Sequence, residues 1–191
     1  MTLPDHLRRL RSRTAPDTTE RATDSAAPAR RTDVVDAVAR GMQAGFVATL
    51  IMTAFRLPIM RSLPPSANFW SQYVTGDDPD DHVIVGLALH LGYGIQAGAL
   101  FGALFALHDA ERSIEPEQRG LVWGSVYGMA LSAFGSQIML KRLLGIELDA
   151  DELALFHAGH LVYGLSLGAW VGSRTEGVDD PEAEYEYGDG N

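Results

Sequence analysis

The sequence predicts an all-α polytopic membrane protein, a four-helix bundle built from two repeated transmembrane hairpins. Three observations lead there. Val83–Leu107 (25 residues) and Gly120–Leu140 and Leu153–Ser173 (21 each) contain no Asp, Glu, Lys or Arg, and each reaches the roughly 20 apolar residues that cross a bilayer. His90-Leu91-x-Tyr93-Gly94-x-x-x-Gly98-Ala99-x-x-Gly102 recurs seventy positions later as His160-Leu161-x-Tyr163-Gly164-x-x-x-Gly168-Ala169-x-x-Gly172. The net charge of −10 is carried outside these runs, so the chain alternates very polar and very apolar stretches.

Residues 1–31 combine Pro, Ser, Thr, Asp and Arg with few apolar side chains and read as a disordered basic arm. Its Leu3, Leu7 and Leu10, interleaved with arginines, would suit a short amphipathic helix on an anionic membrane surface. The simpler reading is a solvated tail that helps set topology. No cleavable signal pattern is expected from it.

The membrane domain is expected over 32–173, with spans at about 34–60, 83–107, 120–140 and 153–173. The first is the weakest. Its uncharged centre, Gly41–Phe55, lies between Arg40 and Arg56, and fifteen residues rise only about 22 Å. It spans only if both arginines extend to the interfaces. Thr32 or Asp33 would cap it. Residues 61–82 read as a long loop, with Phe69, Trp70 and Tyr73 suited to the water–lipid boundary. The cluster Asp77-Asp78-Pro79-Asp80-Asp81 lacks the ligand spacing of a calcium loop and reads as solvated. A charged link, 108–119, precedes the third span, and a short acidic turn with Gly145, Asp149 and Glu152 precedes the fourth. Residues 174–191, with one Arg against seven acids, read as a disordered acidic tail.

Small residues at intervals of four mark every span: Gly41, Gly45, Thr49 and Thr53; Gly94, Gly98 and Gly102; Gly120, Gly124, Gly128 and Ser132; Gly164, Gly168 and Gly172. Such stripes let helix backbones approach where lipid supplies no hydrophobic drive. Arg40-Gly41-x-x-x-Gly45 also matches Arg119-Gly120-x-x-x-Gly124, so the repeat is a pair of hairpins about an axis along the membrane normal. A closed bundle follows, with a homodimer through the glycine stripes or a membrane-protein partner as its associations besides the lipid bilayer. Placing both termini in the cytoplasm puts eleven of fifteen Lys and Arg inside. The many carboxylates and single Lys suit a high-salt cytoplasm. With no Cys there is no disulfide or thiolate chemistry.

Imidazole in a span needs a hydrogen bond, a charge partner or a ligand. His90 and His160 occupy equivalent repeat positions, and His157 lies one turn before His160. With Tyr93, Tyr163, Arg56, Thr53, Ser132, Ser136 and Gln137 they form the expected outward polar pocket. Three uses stand open: structural hydrogen bonding, passage or binding of a small solute, anion or proton, and ligation of haem or a transition metal by His90, His157 and His160. No cofactor is predicted. No span holds an acid, and no nucleophile motif or phosphate loop is visible, so no enzyme is expected. The short basic arm is the sole basic stretch, which argues against nucleic acid.

Met52-Thr53-Ala54-Phe55-Arg56-Leu57-Pro58, Pro64-Pro65, Phe69-Trp70 and the two His-Leu-x-Tyr-Gly motifs, with the acidic exterior, resemble the small four-span membrane proteins of unknown function common in halophilic archaea. The resemblance covers about residues 33–173. It implies the four-span fold and brings no activity. Some such proteins carry a histidine-kinase label, but this sequence has neither a phosphoacceptor hairpin nor room for an ATP-binding domain. An accessory or structural membrane protein is the expected class, with a small-solute, proton or metal transporter as the alternative.

Overall fold

The computed structural model describes residues 31–58, 65–108 and 115–174, and among them every regular element is helical. Helix α1 is Arg31–Arg56, α2 Pro65–Trp70, α3 Val83–Leu107, α4 Pro116–Phe134 and α5 Ala150–Ser173. A π turn, Ser71–Thr75, and a 3₁₀ turn, Pro79–His82, join α2 to α3, and α4 continues into a π segment, Gly135–Leu144. The arm and the acidic tail read from the sequence lie outside the described residues apart from Arg31 and Arg174, and so does Arg61. Two helical stretches, Asp33–Arg56 and Pro79–Leu107, are long and apolar enough to cross a membrane, with mean hydropathies of 1.3 and 1.6.

Helix α3 has the expected bounds because charge ends abruptly on both sides of it. The others differ. Helix α1 begins at Arg31, with Asp33 inside its first turn rather than capping it, and ends at Arg56 instead of near 60. The Leu57 amide still donates to the Thr53 carbonyl at 3.0 Å, and Pro58 follows, where a helix interior is disfavoured. The expected loop over 61–82 is folded where it is described. Ser66 Oγ donates to the Gly86 carbonyl at 2.6 Å and Tyr73 Oη to the Leu143 carbonyl at 2.7 Å, so α2 and its π turn bridge α3 and the π segment.

The helix expected as the third span continues past Leu140 as a π segment. At Gly135 a Cβ would stand 2.9 Å from Phe156 Cζ, so the ring of α5 occupies the space of a side chain. Widening to the i→i+5 hydrogen-bond step aligns Gly135 with Leu140 and Met139 with Leu144. Gly145, at φ +69°, ends the segment in the left-handed region. Asp149 then caps α5 through a capping box, accepting from the Glu152 amide at 2.8 Å while Glu152 accepts from the Asp149 amide at 3.2 Å.

Each hairpin packs backbone on backbone. Gly41 and Gly45 face Gly102, Gly98 and Gly94 of α3; Gly120, Gly124 and Gly128 face Gly172, Gly168 and Gly164 of α5. Thr49 seats its side chain over Gly94 and donates to the Gly45 carbonyl at 2.7 Å. Between hairpins, contact is one-sided. Met52 and the Arg56 stem cross α5 at Gly159, where a Cβ would stand 3.0 Å from Arg56 Cδ. A core of Ala44, Ala48 and Met52 of α1, Phe101 of α3, and Tyr163 and Leu167 of α5 joins these three helices. Helices α3 and α4 scarcely meet. The bundle expected to close around all four helices is therefore open along the α3–α4 seam.

Candidate functional site

Two cavities lie on that seam. The outer one, about 190 Å³, is walled by Leu89, His90 and Tyr93 of α3, Gly135, Met139, Leu140 and Leu144 of the π segment, Phe156 and His160 of α5, Arg56 of α1, and Pro65, Ser66 and Phe69 of α2. The inner one, about 310 Å³, lies between Phe101, Leu104, Phe105 and His108 of α3 and Arg119, Trp123, Val126, Tyr127 and Ala130 of α4. Between them Tyr127 of α4 reaches across to α3. Tyr127 Oη donates to the Ala97 carbonyl at 2.8 Å and its ring sits 5.3 Å from that of Phe101.

The outer cavity brings together four of the ten side chains expected in a polar pocket: Arg56, His90, Tyr93 and His160. Their chemistry differs. His160 is buried, and its Nδ1–H donates to the Phe156 carbonyl one turn earlier at 2.9 Å. A carbonyl only accepts, so a neutral His160 leaves Nε2 as an acceptor, and that atom points toward Gly135. His90 is half-buried and has no hydrogen-bond partner among the described residues. Arg56 is buried with its guanidinium 5.6 Å from the centre of the Phe156 ring, a cation–π distance. Tyr93 is 40 % exposed, at the cavity edge.

The other six do not line this cavity. His157, expected beside His160, turns instead to Ser132, with Nδ1 2.7 Å from Oγ. Residues three apart on a helix diverge by about 60°, which sends the two rings to different neighbours. Ser132 is fully buried. Thr53 donates to the Thr49 carbonyl at 2.7 Å, Ser136 to the Ala133 carbonyl at 3.3 Å, and Gln137 is exposed. Short hydroxyl side chains on helices satisfy themselves locally in this way.

Tyr163 crosses the hairpin interface, its hydroxyl donating to the Gly94 carbonyl at 2.7 Å. It borders the outer cavity only through a void of about 10 Å³ shared with His90, Tyr93 and His160, at the threshold for one water. Tyr163→Phe is expected to lower stability by about 1 kcal/mol, read as a lower midpoint of thermal unfolding in detergent. The repeat partner Tyr93 points out of the interface, so Tyr93→Phe should leave that midpoint unchanged.

Sequence reasoning missed the apolar walls, above all Phe69, Met139 and Phe156. An aromatic one turn before a span histidine was the available signal for Phe156; the π segment left none for Met139. Among the described residues no three His, Cys, Asp or Glu side chains gather where a metal ion would be held.

A family described as a family of unknown function (DUF6789) matches residues 35–180. No curated protein and no solved structure matches the chain.

Proposed function

The chain belongs to the DUF6789 family, and from that premise and the geometry of its helices we propose that it is a four-span integral membrane protein with an accessory, ligand-holding role. The observation that carries this reading is the distribution of side-chain size. Glycine fills the helix interfaces, while large apolar side chains point outward on all four long helices: Phe46 and Leu50 on α1, Leu100 and Leu104 on α3, Val122 and Met129 on α4, Leu161 and Leu165 on α5. A water-soluble domain would hide such residues. A bilayer is their natural solvent, and glycine interfaces are its natural packing. Helices α4 and α5 serve as spans beside α1 and α3 in this reading because their charged residues, Glu117, Arg119, Asp151 and Glu152, stand within the first four positions and the remainder of each helix holds no Asp, Glu, Lys or Arg.

Both ends lie in the cytoplasm in this reading, which keeps eleven of fifteen basic residues inside. The accessory role rests on two further features. Ser132, the hydroxyl nearest an imidazole, is sealed from any substrate. The Tyr127–Ala97 and Tyr127–Phe101 contacts separate the outer cavity from the inner one, which favours holding a ligand over passing a solute.

The chain has no cysteine, so single-cysteine labelling with an impermeant maleimide on intact cells tests the reading directly. Asp78→Cys and Glu147→Cys are expected to label from outside, and Glu115→Cys only after permeabilisation. Two spans alone would leave Glu147→Cys inside with Glu115→Cys. Labelling of Glu147→Cys only after permeabilisation would therefore sink the four-span arrangement.

A further inference from the structure

We propose that the outer cavity is a binding site for the ring of a bilayer-borne isoprenoid quinone or quinol, admitted sideways between α3 and the π segment. This rests on the four-span placement above and names the ligand class of the same cavity.

Size comes first. A cavity of about 190 Å³ is a little larger than the roughly 150 Å³ apolar cavity that accepts benzene. It suits one substituted ring or two fused rings and is far too small for a whole phospholipid. The walls suit a flat ring as well. Phe69, Tyr93 and Phe156 present aromatic faces or edges from three different elements, and Met139 adds a polarizable thioether.

The polar groups match a neutral ligand whose ring oxygen accepts a hydrogen bond when oxidised and donates one when reduced. Arg56 offers donors to a quinone carbonyl, and the Nε2 acceptor of His160 suits a quinol hydroxyl. His90 serves either form, since imidazole exchanges donor and acceptor roles with its tautomer. Among the described residues no carboxylate lines the cavity. An anionic headgroup fits less well. His90 stands seven residues into α3, about 10 Å below the helix end, and a phosphate drawn to that depth would surrender its hydration to a largely apolar wall.

Access is lateral. Leu89 and Tyr93 line the cavity and are 36 % and 40 % exposed on the outer surface, along the seam where α3 and the π segment scarcely touch. The aqueous side is covered by α2 and its π turn, tied to α3 by Ser66 and to the π segment by Tyr73. A ligand dissolved in the membrane reaches the site, and its tail lies in the apolar seam.

The test begins with protein purified from native membranes in mild detergent, extracted with organic solvent and assayed for quinone by chromatography and mass spectrometry. Binding of decylubiquinone is then titrated into delipidated wild type, His160→Leu and Leu89→Trp. Quinone near one per protein is expected, with affinity at least about tenfold weaker in each variant. Leu89 is part-exposed at the mouth, so its replacement keeps the fold even where His160→Leu lowers the melting temperature. Phospholipid without quinone in the extract, or equal decylubiquinone affinity in wild type and Leu89→Trp, overturns the proposal. The Glu147→Cys labelling separates the two failures. A correctly labelled protein that binds no quinone overturns this inference alone, whereas a mislabelled one removes the four-span reading and lateral access with it.

Discussion

Gly168→Leu is expected to abolish the native fold. A Cβ at this position falls well inside van der Waals contact of the Gly120 carbonyl oxygen and 3.2 Å from the Gly124 Cα. Both are backbone atoms, so no rotamer change relieves the clash, and α4 and α5 must separate along their shared face. Overpacking a core commonly costs about 1–3 kcal/mol. Here a branched side chain also forfeits the contacts of Gly120, Gly124 and Gly164 together, and the loss should exceed that range. Thermal unfolding in detergent, followed by helical circular dichroism, is the readout. Gly92→Ala is the control. Nothing lies within 4 Å of a Cβ at Gly92, so this variant gains helix propensity of up to about 1 kcal/mol and melts at or above wild type. Equal melting of Gly168→Leu and wild type would mean that α4 and α5 do not pack through glycine.

Leu161→Asp should have the second-largest effect, and its sign depends on the solvent around α5. Leu161 is near the middle of α5 and 38 % exposed on its outer face. In a bilayer a carboxylate at the centre of a span costs about 2.5–3.5 kcal/mol by insertion scales, enough to shift most of the population out of the inserted state. In water the same substitution would trade an exposed leucine for a charge and improve solubility. The fraction retained in membrane pellets after alkaline extraction distinguishes them. A sharp fall is expected, and retention equal to wild type with normal melting would place α5 outside the membrane.

Much of the helical organisation was legible because it is local. Charge-free runs flanked by Asp77–Asp81 and by the 108–119 link mark α3 to the residue. The pairing of Gly41 and Gly45 with Gly98 and Gly102 was foreshadowed because few residues besides glycine tolerate backbone contact, and four-residue spacing aims them at one face. The site was only partly legible. Arg56, His90, Tyr93 and His160, all named from the sequence, line one cavity. Thr53 and Ser136 do not join them because each bonds a carbonyl of its own helix, Ser132 pairs with His157 and Gln137 is exposed, and the residue type does not say which partner a polar side chain takes.

By itself, then, the sequence determined that the chain is helical, where α3 begins and ends and which faces must pack closely, since these follow from side-chain polarity and size repeated along one stretch of chain. Tertiary structure alone decided the rest. Phe156 over Gly135 accompanies a π segment no periodicity announces; α1 crossing α5 at Gly159 while α3 stays apart from α4 leaves the seam open; and Tyr73 reaching Leu143 across seventy residues roofs the cavity. Each depends on which two distant surfaces come to lie opposite one another, and that is set by the packing of the whole bundle rather than by any local pattern.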